Sequence, residues 1–206
     1  MKLILENWRS YRRNHLLLEG SDAAAFEAEM ENFMDTAVQK LATIKVETPQ
    51  EKKELEEVAV ITAVGIVVAL PKIIQMIGAM AKWMEPKLKK FIGRGGDEGE
   101  AKVGNAILAF GDKVYSKYLK PLKYAIKQIG KGVGANWDEA EVDRYAGFAY
   151  HTLIALLFVH SSVAWGQAGS KALSTGSLNL GLIKNLVTTA TRGESLVDYA
   201  TKILDK

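Results

Sequence analysis

The sequence predicts an all-α, single-domain bundle of about six or seven helices with two strongly apolar central helices. Three observations carry that expectation. Apolar residues recur every three or four positions over long stretches, helix-start signals stand at the right places, and no two-residue alternation lasts long enough for a sheet. Two runs are almost free of charge, residues 58–81 and residues 145–169. A helix apolar on every side must be buried, in protein or in lipid.

Composition bounds the rest. The 206 residues are 48% hydrophobic and 25% charged, enough for a full core and less greasy than a multi-pass membrane protein. A net charge of +3 names no partner, but residues 1–57 hold 8 Lys/Arg against 12 Asp/Glu, and residues 82–144 hold 13 against 9. An acidic front thus precedes a basic middle. With no cysteine there is no disulfide, thiolate zinc site or cysteine nucleophile. Met1 to Ser10 alternates apolar residues with Glu6 and Arg9, unlike a secretory signal.

The elements follow in order. Ser21 or Asp22 caps a helix with apolar positions Phe26, Met30, Phe33, Ala37, Leu41 and Ile44. Thr48-Pro49-Gln50-Glu51 starts the next, with proline at the first helical position and a glutamate that closes a capping box. That helix enters the first apolar run, where Val64, Ile66 and Val67 are central, and Pro71 is expected to kink or break it. Gly93-Arg94-Gly95-Gly96 reads as a loop, residues 97–130 as a helix, and Gly130 to Gly134 as a hinge-like linker. Asn136-Trp137-Asp138-Glu139 reads as a capping box opening the second apolar run, which carries Leu153, Ile154, Leu157 and Phe158. Residues 178–191 and 195–204 read as two shorter helices separated by Gly193.

Lipid and protein are finely balanced as the surroundings of these runs. Eight strongly apolar residues between Val58 and Leu70 favour insertion by roughly 2.4 to 4.8 kcal/mol together, and Lys72 near the bilayer centre costs about 2.5 to 3.5. The second run has no such penalty, but His151, His160, Ser161, Ser162 and Gln167 need partners in either setting. Lys82, Lys87, Lys89, Lys90 and Arg94 follow the first run and would favour the cytoplasmic side of a hairpin.

A lysine stripe is the clearest contact surface. Lys113, Lys117, Lys120, Lys123, Lys127 and Lys131 fall on roughly a third of a helix circumference, with Tyr124 beside them and Pro121 among them. Such a face can lie on an anionic membrane, track the phosphates of nucleic acid, or be the solvated side of a bundle helix. Catalytic chemistry is sparse, and no cofactor or metal is expected. His151 and His160 lie about 180° apart on a helix and cannot share a metal. The glycine clusters lack the order of a phosphate loop, and Asp138, Glu139, Glu141 and Asp143 suit a helix N-terminus.

Met1-Lys2-Leu3-Ile4-Leu5-Glu6-Asn7-Trp8-Arg9 resembles an opening found on otherwise unrelated proteins of contractile-tailed phages, marine ones especially. Internal head proteins of such phages carry an N-terminal capsid-targeting peptide that the prohead protease removes after a glutamate with leucine or isoleucine two positions before it. Leu17-Leu18-Glu19 followed by Gly20 is similar to that pattern, which covers about nineteen residues of the chain. The resemblance implies residues 1–20 as a propeptide-like segment ahead of a bundle domain over 21–206. It implies a non-enzymatic protein packaged in the virion head, with phage head or scaffold proteins as partners and the virion interior or bacterial cytoplasm as its place. The alternatives are a small membrane protein, a pore-former or exclusion factor of the inner membrane with the apolar runs as a hairpin, and a nucleic-acid-binding module. Self-association is left open.

Overall fold

The computed structural model describes Leu18 and residues 20–45, 60–93, 96–161 and 178–204, with the backbone alone for 60–68. Among the described residues there are six helices and no strand: α1 (Gly20–Ala42), α2 (Val60–Ile92), α3 (Gly96–Val133), α4 (Glu139–His160), α5 (Leu180–Thr191) and α6 (Leu196–Leu204). The protein is the all-α bundle that the periodicity predicts. The start signal at Thr48 to Glu51 lies outside the described residues.

Inter-helix pairs give the directions of the helices. Lys113 meets Glu27 and Lys117 meets Glu31, a constant offset along both chains, so α1 and α3 run the same way. Lys123 meets Asp143 and Lys127 meets Glu139, a reversed order that makes α3 and α4 antiparallel. Lys87 with Glu29 and Phe91 with Phe26 set α1 and α2 antiparallel. The first four helices therefore run up, down, up, down. α2 and α3 touch each other and both touch α1 and α4; α5 covers α4, and α6 rests on α2 and α5.

The apolar face of α1 (Phe26, Met30, Phe33, Ala37, Leu41) is buried as its spacing requires. The helix itself begins at Gly20, one residue ahead of the expected cap. α4 is the most enclosed element: from Phe148 to Phe158 every residue is buried, and Leu153, Ile154, Leu157 and Phe158 have no exposed surface. The chain itself supplies the nonaqueous surroundings of this half of the apolar pair. Val64, Ile66 and Val67 lie on the helical backbone of α2, and their side chains lie outside the description.

Three sequence expectations need correction. Pro71 does not break α2, which runs through both Pro71 and Pro86. Both prolines are exposed, so the carbonyls left without a donor lie on the water side rather than in the core. The Gly130–Gly134 segment is not a hinge, because α3 continues to Val133 and closes with Gly134 at φ +73°. Ala135 N–H donates to the Gly130 carbonyl at 2.9 Å and Gly134 N–H to that of Lys131 at 3.2 Å, the paired bonds of a glycine C-cap. The α4 capping box lies two residues later than expected: the Asp138 carboxylate accepts from Glu141 N–H at 2.7 Å, and Glu141 accepts from Asp138 N–H at 2.9 Å.

Candidate functional site

The lysine stripe forms one side of α3, and most of it faces other helices. Lys113 Nζ donates to Glu27 at 2.8 Å and Lys117 Nζ to Glu31 at 2.9 Å, both carboxylates on α1. On the α4 side Lys123 meets Asp143 at 2.6 Å, and Lys127 meets Glu139. Tyr118 lies at the base of the α1 seam, where its hydroxyl donates to Asp35 at 2.8 Å. Burial first, and then the Asp35 carboxylate, raise its phenol well above the ordinary value. The Glu27 carboxylate likewise holds the Lys113 ammonium above its usual range. Four of the six stripe lysines are thus matched by acids from the two helices on either side, α1 and α4. Lys120 and Lys131 are exposed, have no acidic partner among the described residues, and lie along the same helix as Tyr124, which is 62% exposed.

Beneath this face the α3–α4 contact holds a polar aromatic cluster. It forms because Gly111 lets α4 approach: a Cβ there would stand 2.9 Å from the Ile154 Cδ1. Tyr150 uses the opening to donate its hydroxyl to the Gly111 carbonyl at 2.5 Å. Its ring meets Tyr115 edge-on at 5.0 Å, and Tyr115 stacks on His151 at 5.8 Å with 20° between the planes. His151 is buried, its Nδ1 has no hydrogen-bond partner, and burial lowers its pKa to about 4. The imidazole is a neutral core group. Neighbouring α3 residues contribute two more unpartnered buried oxygens, the Oδ1 atoms of Asn105 and Asp112.

His160, the second histidine of α4, lies instead at the edge of α2, with Nδ1 3.3 Å from Glu85. Lys89, then His160, hold the Glu85 carboxyl below the ordinary range. The two histidines have separate surroundings, as their spacing predicts, and no three metal-ligating side chains converge among the described residues.

A small apolar slot opens between α2, α4 and α6, lined by Leu70, Ile73, Trp137, Tyr145, Phe148 and Leu204 among others. Its Trp137 wall lies so closely over Gly130 that a Cβ there would be 2.7 Å from Cε3 of the indole. The space accessible to a water-sized sphere is about 20 Å³, room for roughly one water.

The proposed processing site falls at the start of α1. Leu17 and Glu19 lie outside the described residues, while Gly20 is exposed at φ +60°. No helix among the described residues is long and apolar enough to cross a membrane. Sequence reasoning finds the lysine stripe but not the acids that answer it, since Glu27, Glu31, Glu139 and Asp143 carry no mark of their partners. It also gives no weight to Tyr115 and Tyr150, whose role depends on the close approach at Gly111. No family model, curated protein or solved structure matches the chain.

Proposed function

We propose that this is a non-enzymatic phage protein, packaged in the virion head and delivered with the genome, whose residues 1–19 direct packaging and are removed after Glu19. The observation that supports this reading is the place of the cut. Gly20, which follows Glu19, is the first residue of α1, and it is exposed together with Ser21 and Asp22. Processing there leaves all six described helices whole. The buried face of α1 begins only at Phe26, and the described apolar contact that is lost is that of Leu18, half-buried against the core. The new ammonium would oppose the helix dipole, and Asp22 in the first turn offsets it. Phage head or scaffold proteins are the partners of the first nineteen residues in this reading.

A bundle whose charges are largely matched within itself suits dense packing beside DNA. The residual charge at Lys120 and Lys131, with exposed Tyr124 between them, offers packaged DNA a weak contact that salt removes. Mass spectrometry of the protein from purified particles tests the proposal. The expected N-terminus is Gly20, and replacement of Glu19 by alanine should leave residues 1–19 attached. Intact Met1 in mature wild-type particles refutes the processing.

A further inference from the structure

The outward face of α2 differs from the lysine stripe because its charge is not answered among the described residues. Residues 58–96 contain six basic residues and one acid, Glu85, and Glu85 is engaged by Lys89 and His160. Lys72, Gln75, Ala79, Lys82, Trp83, Pro86 and Lys90 are all exposed and fall within about 120° of the helix circumference. From Lys72 to Lys90 this face runs about 27 Å. Among the described residues Lys72, Lys82 and Lys90 have no acidic partner, whereas Lys113, Lys117, Lys123 and Lys127 each have one. Trp83 lies at the middle of the face, 43% exposed, with the Lys87 ammonium 4.2 Å from its ring centroid.

From this we infer that the α2 face is a docking surface for an anionic lipid bilayer, which it meets lengthwise at the level of the headgroups. Charge complementarity selects an anionic partner, because three lysines without an acidic partner among the described residues lie along one line of the helix. Two features favour a bilayer over nucleic acid. An exposed indole flanked by lysines matches the membrane–water interface, where amphipathic rings and long basic side chains both gain. The Lys87 ammonium already occupies one face of the indole, where a stacking base would need to lie. The inference holds whether or not the chain is carried in a particle.

Flotation of the full-length protein with vesicles tests it. The protein should float with vesicles of phosphatidylcholine mixed with phosphatidylglycerol, stay behind with phosphatidylcholine alone, and be released by added salt. Combining Lys72→Gln, Lys82→Gln and Lys90→Gln should lower the partition coefficient on the order of 100-fold, while the corresponding arginine replacements retain it. Trp83→Ala should weaken binding further at constant charge. These lysines bind no acid among the described residues, so the glutamine variant should keep the wild-type melting curve, and circular dichroism checks this. Failure of the wild type to float with the anionic vesicles overturns the inference, as does a glutamine variant that floats as well as the wild type. A DNA duplex is the second arm: if it binds through these lysines while the vesicles are ignored, the face belongs to nucleic acid and the lipid assignment is wrong.

Discussion

Acid should destabilise this protein through the buried imidazole of His151. The imidazole is buried against Tyr115 and Tyr150, no carboxylate among the described residues pairs with it, and its pKa falls from 6.5 to about 4. Between those values the unfolded chain binds a proton that the folded chain refuses, so stability falls as pH decreases. The contribution is complete above pH 6.5, declines by up to about 1.4 kcal/mol per pH unit, and has lost roughly 3 kcal/mol below pH 4. Against a typical total of about 5 to 15 kcal/mol that is a large share.

The variant His151→Phe isolates the effect. Phenylalanine keeps a ring against Tyr115 and removes the unpartnered Nδ1, so at pH 7.5 its stability should lie within about 1 kcal/mol of the wild type. Urea unfolding followed by far-ultraviolet circular dichroism, at fixed ionic strength, should show the variant gaining on the wild type by about 2 kcal/mol between pH 7.5 and pH 5. His160 and Glu85 are present in both proteins and cancel in the difference. Glu85 also acts at lower pH: its depressed carboxyl keeps its contribution above 4.5 and loses it as pH falls through the folded value. Parallel curves for the two proteins from pH 7.5 to 5 would refute the reasoning, because they would mean that His151 takes up its proton as readily in the fold as out of it.

Four further substitutions test the packing and one helix cap. In α3, Gly99→Ala places a methyl 2.4 Å from the backbone carbonyl of Ile92, which cannot swing aside, and should cost at least about 2 kcal/mol; Gly78→Ala, with nothing within 4 Å, should stabilise by about 0.5 to 1 kcal/mol, both read by urea unfolding. Gly130→Ala pushes on the rigid Trp137 indole at 2.7 Å and should cost about 1 to 3 kcal/mol, with a change in near-ultraviolet dichroism as Trp137 shifts against Tyr145. Asp138→Ala removes the carboxylate end of the α4 capping box and should lower stability by about 1 kcal/mol, visible as a lower melting temperature.

The sequence is legible where one local rule decides. The spacing of Phe26, Met30, Phe33, Ala37 and Leu41 gives the buried side of α1, and Gly193 at φ +70° marks the stop between α5 and α6. It misleads where a residue has two structural uses. A run of glycines serves a hinge or a helix end equally, and only the bond from Ala135 to Gly130 separates them. Proline removes one hydrogen bond and crowds the preceding turn, and whether the helix continues past it depends on the surrounding packing, which for Pro71 leaves the ring exposed on an unbroken α2. Whether lipid or protein surrounds Ile154 depends on the rest of the chain, because its zero exposure is produced by α2, α3 and α5 together.

The acidic front and the basic middle explain each other, but not in the way that counting ion pairs suggests. Glu27 and Glu31 face Lys113 and Lys117 in the open, with all four side chains about half exposed, so the pairs add little to stability. Nor do they fix the register of α1 on α3. Both helices repeat their charges every four residues, so a slip of one turn would set Glu31 beside Lys113 and Asp35 beside Lys117, again pairing opposite charges. What forbids the slip is the row beneath. Phe26, Met30, Phe33 and Met34 would all shift by about 6 Å against side chains packed without gaps, and Tyr118 would lose Asp35. The charges choose which faces meet and keep the lysines of α3 occupied; the core and one buried-edge tyrosine choose the register. That division is also why the α2 lysines stand apart, since among the described residues no acid is paired with Lys72, Lys82 or Lys90.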